Sequence, residues 1–145
     1  MIKDFKEYLS HGIAKKVKPD SERAKSLLQI ANKKINFLNK SIDNLGVNDE
    51  NANEYAEYCY DILMALIRAK MLLDGYNASG LGAHEAEASY ARILAFEEKD
   101  IQFLDQLRYF RNGILYYGTI LDKEYSDKVI IFMRNNYSKL KKYLI

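Results

Sequence analysis

Tryptophan is absent, cysteine occurs once, at Cys59, and proline once, at Pro19. One cysteine excludes an internal disulfide framework and a zinc site built on several cysteines, and it fits a reducing compartment. The two histidines, His11 and His84, do not complete a recognisable zinc set with it, so no metal and no cofactor are expected. Long apolar runs are missing as well. No stretch approaches the roughly 18 apolar residues of a membrane span, and the opening MIKDFKEYLSHG is too charged for a signal peptide. The expectation is a cytoplasmic chain with no membrane segment.

What is present is a chain of 145 residues, 48% of them hydrophobic. That is enough for one domain with a sizeable core, and too apolar for disorder. A single domain is expected over 1–145, with its core over about 20–142. No repeat, low-complexity tract or charged linker interrupts it. Charge is unevenly spread: residues 1–46 carry a balance of +5, residues 47–100 of −7, and residues 101–145 of +4. A basic face of this kind attracts a polyanion. The plainer alternative is that oppositely charged helices lie side by side.

Apolar residues recur with a helical period almost throughout. Ile2, Phe5 and Leu9 suggest a short first helix, ended by Ser10, Gly12 and Pro19. Leu27, Leu28, Ala31, Ile35, Leu38, Ile42 and Leu45 line a helix over 21–45, capped by Asp20 or Ser21 and stopped by Gly46. Tyr55, Cys59, Ile62, Leu66, Ala69 and Leu73 line a second over 51–74, capped by Asp49 or Asn51, of which Asn51 has capping-box spacing to Glu54. Further helices are expected over 84–96, 99–117 and 123–142, the last capped by Asp122. Phe103, Leu107, Phe110, Ile114 and Tyr117 read as one buried face. No segment alternates with a strand period. The expected fold is all-α, an antiparallel up-and-down bundle of five or six helices.

RYFRNGILYYG, residues 108–118, carries the sharpest functional question. On a helix Arg108, Arg111 and Asn112 share a side, at the margin of the apolar face. Isolated burial of a guanidinium is costly, so each arginine must be paired or reach solvent. Two guanidiniums and an amide can clamp a phosphate through charge-assisted bonds. Asp105, three residues before Arg108, can equally satisfy it as a structural ion pair. Both readings stand at this point.

Elsewhere the signals are weaker. SGLGAH lacks the lysine and hydroxyl of a phosphate loop and follows no strand, so its glycines serve a turn. His84 in that turn caps or packs it, and His11 is a terminal surface residue. Cys59 lies on an apolar face as a small hydrophobe. Glu54, Glu57, Asp61 and Arg68 form a charged helix surface or an inter-helix network. Lys139, Lys141 and Lys142 make a basic end.

Residues 20–142 resemble a HEPN domain (higher eukaryotes and prokaryotes nucleotide-binding) in their order of two long helices, a looser turn, an arginine-bearing helix and a closing helix. DILMALIRAKMLLDGYNASGLGAH is similar to the family's alanine-rich helix followed by glycine and histidine. The family's hallmark is an arginine, a polar residue, and a histidine five to seven positions after the arginine. Arg111 and Asn112 match the first two elements. Tyr116, Tyr117 and Gly118 stand where the histidine would be.

The resemblance implies an HEPN-like protein that binds RNA or a nucleotide, with Arg108, Arg111 and Asn112 on phosphate and Tyr116 and Tyr117 beside them. It implies pairing of two copies through the arginine helix, with Leu104, Tyr109 or Leu115 extending toward the second copy, and a nucleotidyltransferase partner in a toxin–antitoxin-like module. A divergent metal-independent ribonuclease is the alternative, with Arg111, Tyr116 and Tyr117 in the catalytic positions. Histidine exchanges protons near neutral pH, whereas tyrosine, with an ordinary pKa of about 10, is a poor general base. His84 is the only other histidine within the domain able to substitute. The third reading is a non-enzymatic helical interaction protein.

Overall fold

The computed structural model describes residues 2–144. Their elements are α1 (Phe5–Ser10), β1 (Ala14–Lys16), α2 (Ser21–Leu45), α3 (Ala52–Asp74), β2 (Tyr76–Ala78), α4 (Ala83–Tyr90), α5 (Glu98–Tyr117) and α6 (Lys123–Lys141). The chain is an all-α bundle with one short antiparallel ribbon, in which Ala14 opposes Ala78 and Lys16 opposes Tyr76. Three-residue strands are too short to show alternation, which is why no strand was legible in the sequence.

α3 is the axis. Of the expected stripe, Tyr55, Cys59, Ile62, Leu66 and Ala69 are buried, and Leu73 is part-buried. Leu63, Met64, Ala65 and Ile67 are buried too, so the helix is enclosed on most of its circumference. α2 and α6 lie against it along their lengths, and α4 and α5 complete the enclosure. α2 runs antiparallel to α3, with Phe37 beside Tyr58 and Lys34 beside Asp61. α5 also opposes α3, and α6 opposes α5, with Phe103 stacked edge-on against Phe132 and Phe110 against Tyr125. Among the described residues no helix is long and apolar enough to cross a membrane.

The ends of the helices follow local chemistry. The Asp20 side chain accepts from the Arg23 N–H at 3.0 Å, and Asp122 accepts from the Tyr125 N–H at 2.8 Å. Gly75 closes α3 in the left-handed region, with a Cβ position only 2.9 Å from the Val17 carbonyl oxygen. Two expectations fail. Asn51 makes no side-chain cap on α3; its amide instead accepts from the Asn48 N–H and donates to the Gly46 carbonyl, bracing the α2–α3 loop. The helix expected to reach residue 96 ends at Tyr90. The chain then turns so that the Phe96 N–H returns to the Ala91 carbonyl, with Ala95 at φ 65°. That turn buries Leu94 and Phe96 and leaves Ile93 outside.

The N-terminal segment is tied across this turn. Arg92 donates to the carbonyls of Ile2 and Lys3 while Glu98 holds the same guanidinium at 2.8 and 3.0 Å. Ile2, Phe5 and Tyr8 are buried as a result, and Phe5 packs edge-on against Tyr90.

Candidate functional site

α5 presents the RYFRNGILYYG stretch, and its burial changes along its length. Ile101, Leu104 and Leu107 are its fully buried seam, while Phe103, Phe110 and Ile114 pack against the core part-exposed. This corrects the expected face in two places. Leu104, a candidate for reaching a partner, is wholly buried. Tyr117, expected in the core, is 86% exposed. The reason lies in the α5–α6 connection. Asn53 of α3 donates to the Thr119 carbonyl at 3.0 Å and accepts from the Leu121 N–H at 2.7 Å. The chain therefore folds back at Thr119 and buries Leu121, so the last turn of α5 has no neighbour on its outer side.

That outer side carries aromatic rings. Tyr109, Tyr116 and Tyr117 are 70%, 75% and 86% exposed, with Leu115 and Ile120 also outside. Tyr109, Phe110, Asn112, Gly113, Tyr116, Tyr117 and Thr119 line an open concavity of about 650 Å³. Gly113 gives it depth, since a Cβ there would stand 2.5 Å from Thr119 Oγ1. Spacing of i, i+3, i+7 puts Tyr109, Asn112 and Tyr116 on one side; the sequence assigns Tyr109 to a partner contact rather than to this ligand set.

The arginines lie on the adjoining flank, towards α3 and α4. Arg108 donates from Nε to Asp105 at 2.9 Å, and its Nη1 is 3.4 Å from Glu85 of α4. Arg111 lies 3.2 Å through Nε from Asp61 of α3, yet that N–H has no aligned acceptor among the described residues. The contact is therefore ionic rather than a directed hydrogen bond. Its guanidinium carbon also stands 5.8 Å from the centre of the Tyr60 ring. Asp61 is shared, for Lys34 of α2 reaches it at 3.5 Å. The structural ion-pair reading is thus realised, although each arginine side chain keeps about a quarter of its surface in solvent.

Behind this edge lies a second charged layer. Arg68 of α3 grips Glu87 of α4 through two nitrogens, and His84 Nδ1 stands 3.3 Å from the same carboxylate. His84 is thereby tied to Glu87, and its recorded polar contact is there and not with the arginines of α5. The Tyr60 hydroxyl is buried without a hydrogen-bond partner among the described residues. Burial, helped by Glu87, pushes its pKa up, against the pull of Arg108, Arg111 and Arg68. Glu57 is also raised, first by burial, with Arg111 opposing. Burial takes the Cys59 thiol up to about 12, which makes it an inert core group.

The arrangement provides two chemistries on one helix. A shelf of open aromatic faces with one amide suits flat, stackable groups. A pair of half-shielded guanidiniums suits an anion that displaces their carboxylate partners. Asn112, Tyr116 and Tyr117 are brought together; Arg108 and Arg111 lie on the flank beside them. Asp61, Glu85 and Tyr60 belong to the site through the arginines, and no local spacing pointed to them because they come from α3 and α4. Comparison of the chain with protein-family models, with curated proteins and with solved structures finds no match in any of the three.

Proposed function

We propose that the chain is an RNA- or nucleotide-binding protein of HEPN-like kind, working through the last three turns of α5. The observation that carries this reading is the exposed tyrosine shelf around Asn112, set on the same helix as Arg108 and Arg111. Bases stack on Tyr109, Tyr116 or Tyr117, and the arginines take the phosphates. Each arginine leaves a carboxylate to do so, which tunes binding towards ligands of several charges. With tyrosines in place of the motif histidine and His84 engaged by Glu87, binding rather than cleavage is the supported activity.

The second copy belongs to the same reading. Leu115, Tyr116, Tyr117 and Ile120 form an exposed apolar group at one end of the bundle, of the sort that interfaces cover. Two copies meeting there would set four arginines around one cleft. A nucleotidyltransferase partner, in a toxin–antitoxin-like module, fits a binding protein of this type.

The test is a binding and cleavage screen of the purified protein against RNA and mononucleotides, with sedimentation run in parallel. Arg111→Ala should abolish binding and leave the helical spectrum intact. Binding that is indifferent to Arg111→Ala and Tyr116→Ala rejects the site. Absence of binding with a persistent dimer leaves a non-enzymatic interaction protein, and cleavage lost in Arg111→Ala establishes the ribonuclease.

A further inference from the structure

The α5 edge does not end at α5. Asp61 touches both Arg111 and Lys34, so the charged surface continues across α3 onto α2. There Phe37 holds its ring 60% exposed, tilted against Tyr58 at 5.8 Å between centroids. Lys34 Nζ lies 4.8 Å above the Tyr58 ring. Tyr58 is part-buried against the core, whereas Phe37 is not needed to seal it: Leu38, the next residue of α2, is wholly buried and does that. Phe37 is flanked at helical spacing by Lys33, Lys34 and Lys40, so cations bracket an open ring.

We propose that Phe37, with Tyr58 and Lys34, is a second base-stacking subsite, and that the ligand is therefore a single-stranded RNA of several nucleotides rather than a mononucleotide. This rests on the reading of α5 given above. One helix, roughly 10 Å across, separates the two aromatic groups, which is more than one base can bridge. The strand crosses α3 over Glu54 and Asp61, whose carboxylates repel phosphate but accept hydrogen bonds from ribose hydroxyls and exocyclic amines. Its phosphates accordingly run along Lys33, Lys34 and Arg111, and its sugars and bases face the carboxylates. A protein partner is the less favoured occupant, because the exposed aromatic is ringed by lysines, which are depleted from the buried centres of protein interfaces.

The experiment is fluorescence anisotropy with labelled oligouridylates, a dinucleotide, a tetranucleotide and an octanucleotide, on the wild-type chain, Phe37→Ala, Phe37→Tyr and Arg111→Ala. Phe37→Ala should weaken the octanucleotide about tenfold and leave the dinucleotide unchanged, with Phe37→Tyr restoring binding. Arg111→Ala should weaken every length. Phe37 is exposed, so its loss leaves the fold intact, which circular dichroism verifies. Equal affinity of Phe37→Ala and wild type at every length overturns the subsite while sparing α5. A sedimentation shift towards monomer in Phe37→Ala, with RNA affinity unchanged, overturns it in favour of a protein contact. No binding of any oligonucleotide by the wild type removes the α5 reading and the subsite together.

Discussion

Glu87 of α4 meets Arg68 of α3 through both carboxylate oxygens, the second bond at 3.1 Å, and the glutamate is itself buried. The hydrogen bond that Arg68 donates to Glu87 raises the Arg68 pKa above its ordinary value, against the effect of burial. Removing one member of such a pair strands the other, at a cost of about 3 kcal/mol, reduced where the survivor still reaches water. Arg68 keeps 28% of its side-chain surface in solvent. Glu87→Ala is therefore expected to cost about 2 kcal/mol, read from urea unfolding. Glu87→Ala with Arg68→Met should recover most of it, and a double mutant no better than the single one contradicts the pairing.

Asn53 joins α3 to the α5–α6 connection with two hydrogen bonds. Asn53→Ala should lower stability by about 1–2 kcal/mol, since a main-chain N–H and a carbonyl lose their partner together. Hydrogen exchange at Leu121 should quicken by more than at Leu66, which is buried in the middle of α3. Uniform quickening at both positions would argue that the clamp is only a share of global stability.

Gly113 lies within α5, where alanine is ordinarily better by about 1 kcal/mol. The 2.5 Å approach of Thr119 Oγ1 to the site of a Cβ reverses this, because Thr119 also sits in the connection held by Asn53. Gly113→Ala is expected to lower the thermal midpoint. Thr119→Ala in the same chain removes the 2.5 Å contact and leaves a Cβ at 3.2 Å, so it should recover most of the loss, a coupling that a double-mutant cycle measures directly.

Alkaline pH should unfold the protein early. Burial raises Tyr60, Tyr90 and Tyr125 above the ordinary value of 10.0, with Tyr125 reaching about 12. These hydroxyls stay protonated in the folded chain at a pH where the unfolded chain has released the proton. Their contribution is whole below pH 10 and falls as the pH climbs through the folded values. The urea midpoint should hold to about pH 9 and drop steeply by pH 11. Tyr60→Phe should flatten part of the slope, and an unchanged slope would contradict the burial of that hydroxyl.

Helical periodicity made most of the bundle legible. Asp20, Gly46, Gly75 and Asp122 mark real ends because capping is local chemistry, visible in a few consecutive residues. Errors arose where distant partners decide. The turn after Tyr90 depends on burying Phe96, and β1 exists only because Tyr76–Ala78 lies beside it. The candidate site divides in the same way. Asp105 as the partner of Arg108 was legible at a spacing of three. Asp61 beneath Arg111, and the exposure of Tyr117, were not, since they follow from where α3 begins and how Asn53 turns the chain.

The Arg92 clamp has a consequence for synthesis. Ile2, Phe5 and Tyr8 leave the ribosome well before their partners, for the surface that buries them includes Tyr90 and is secured by a guanidinium 90 residues downstream of Ile2. Until that stretch emerges, three large apolar side chains travel uncovered on the nascent chain, open to chaperones or to wrong neighbours. Closure of the N-terminal segment is thus a late event, and it marks the moment at which α1, α4 and the start of α5 become one unit.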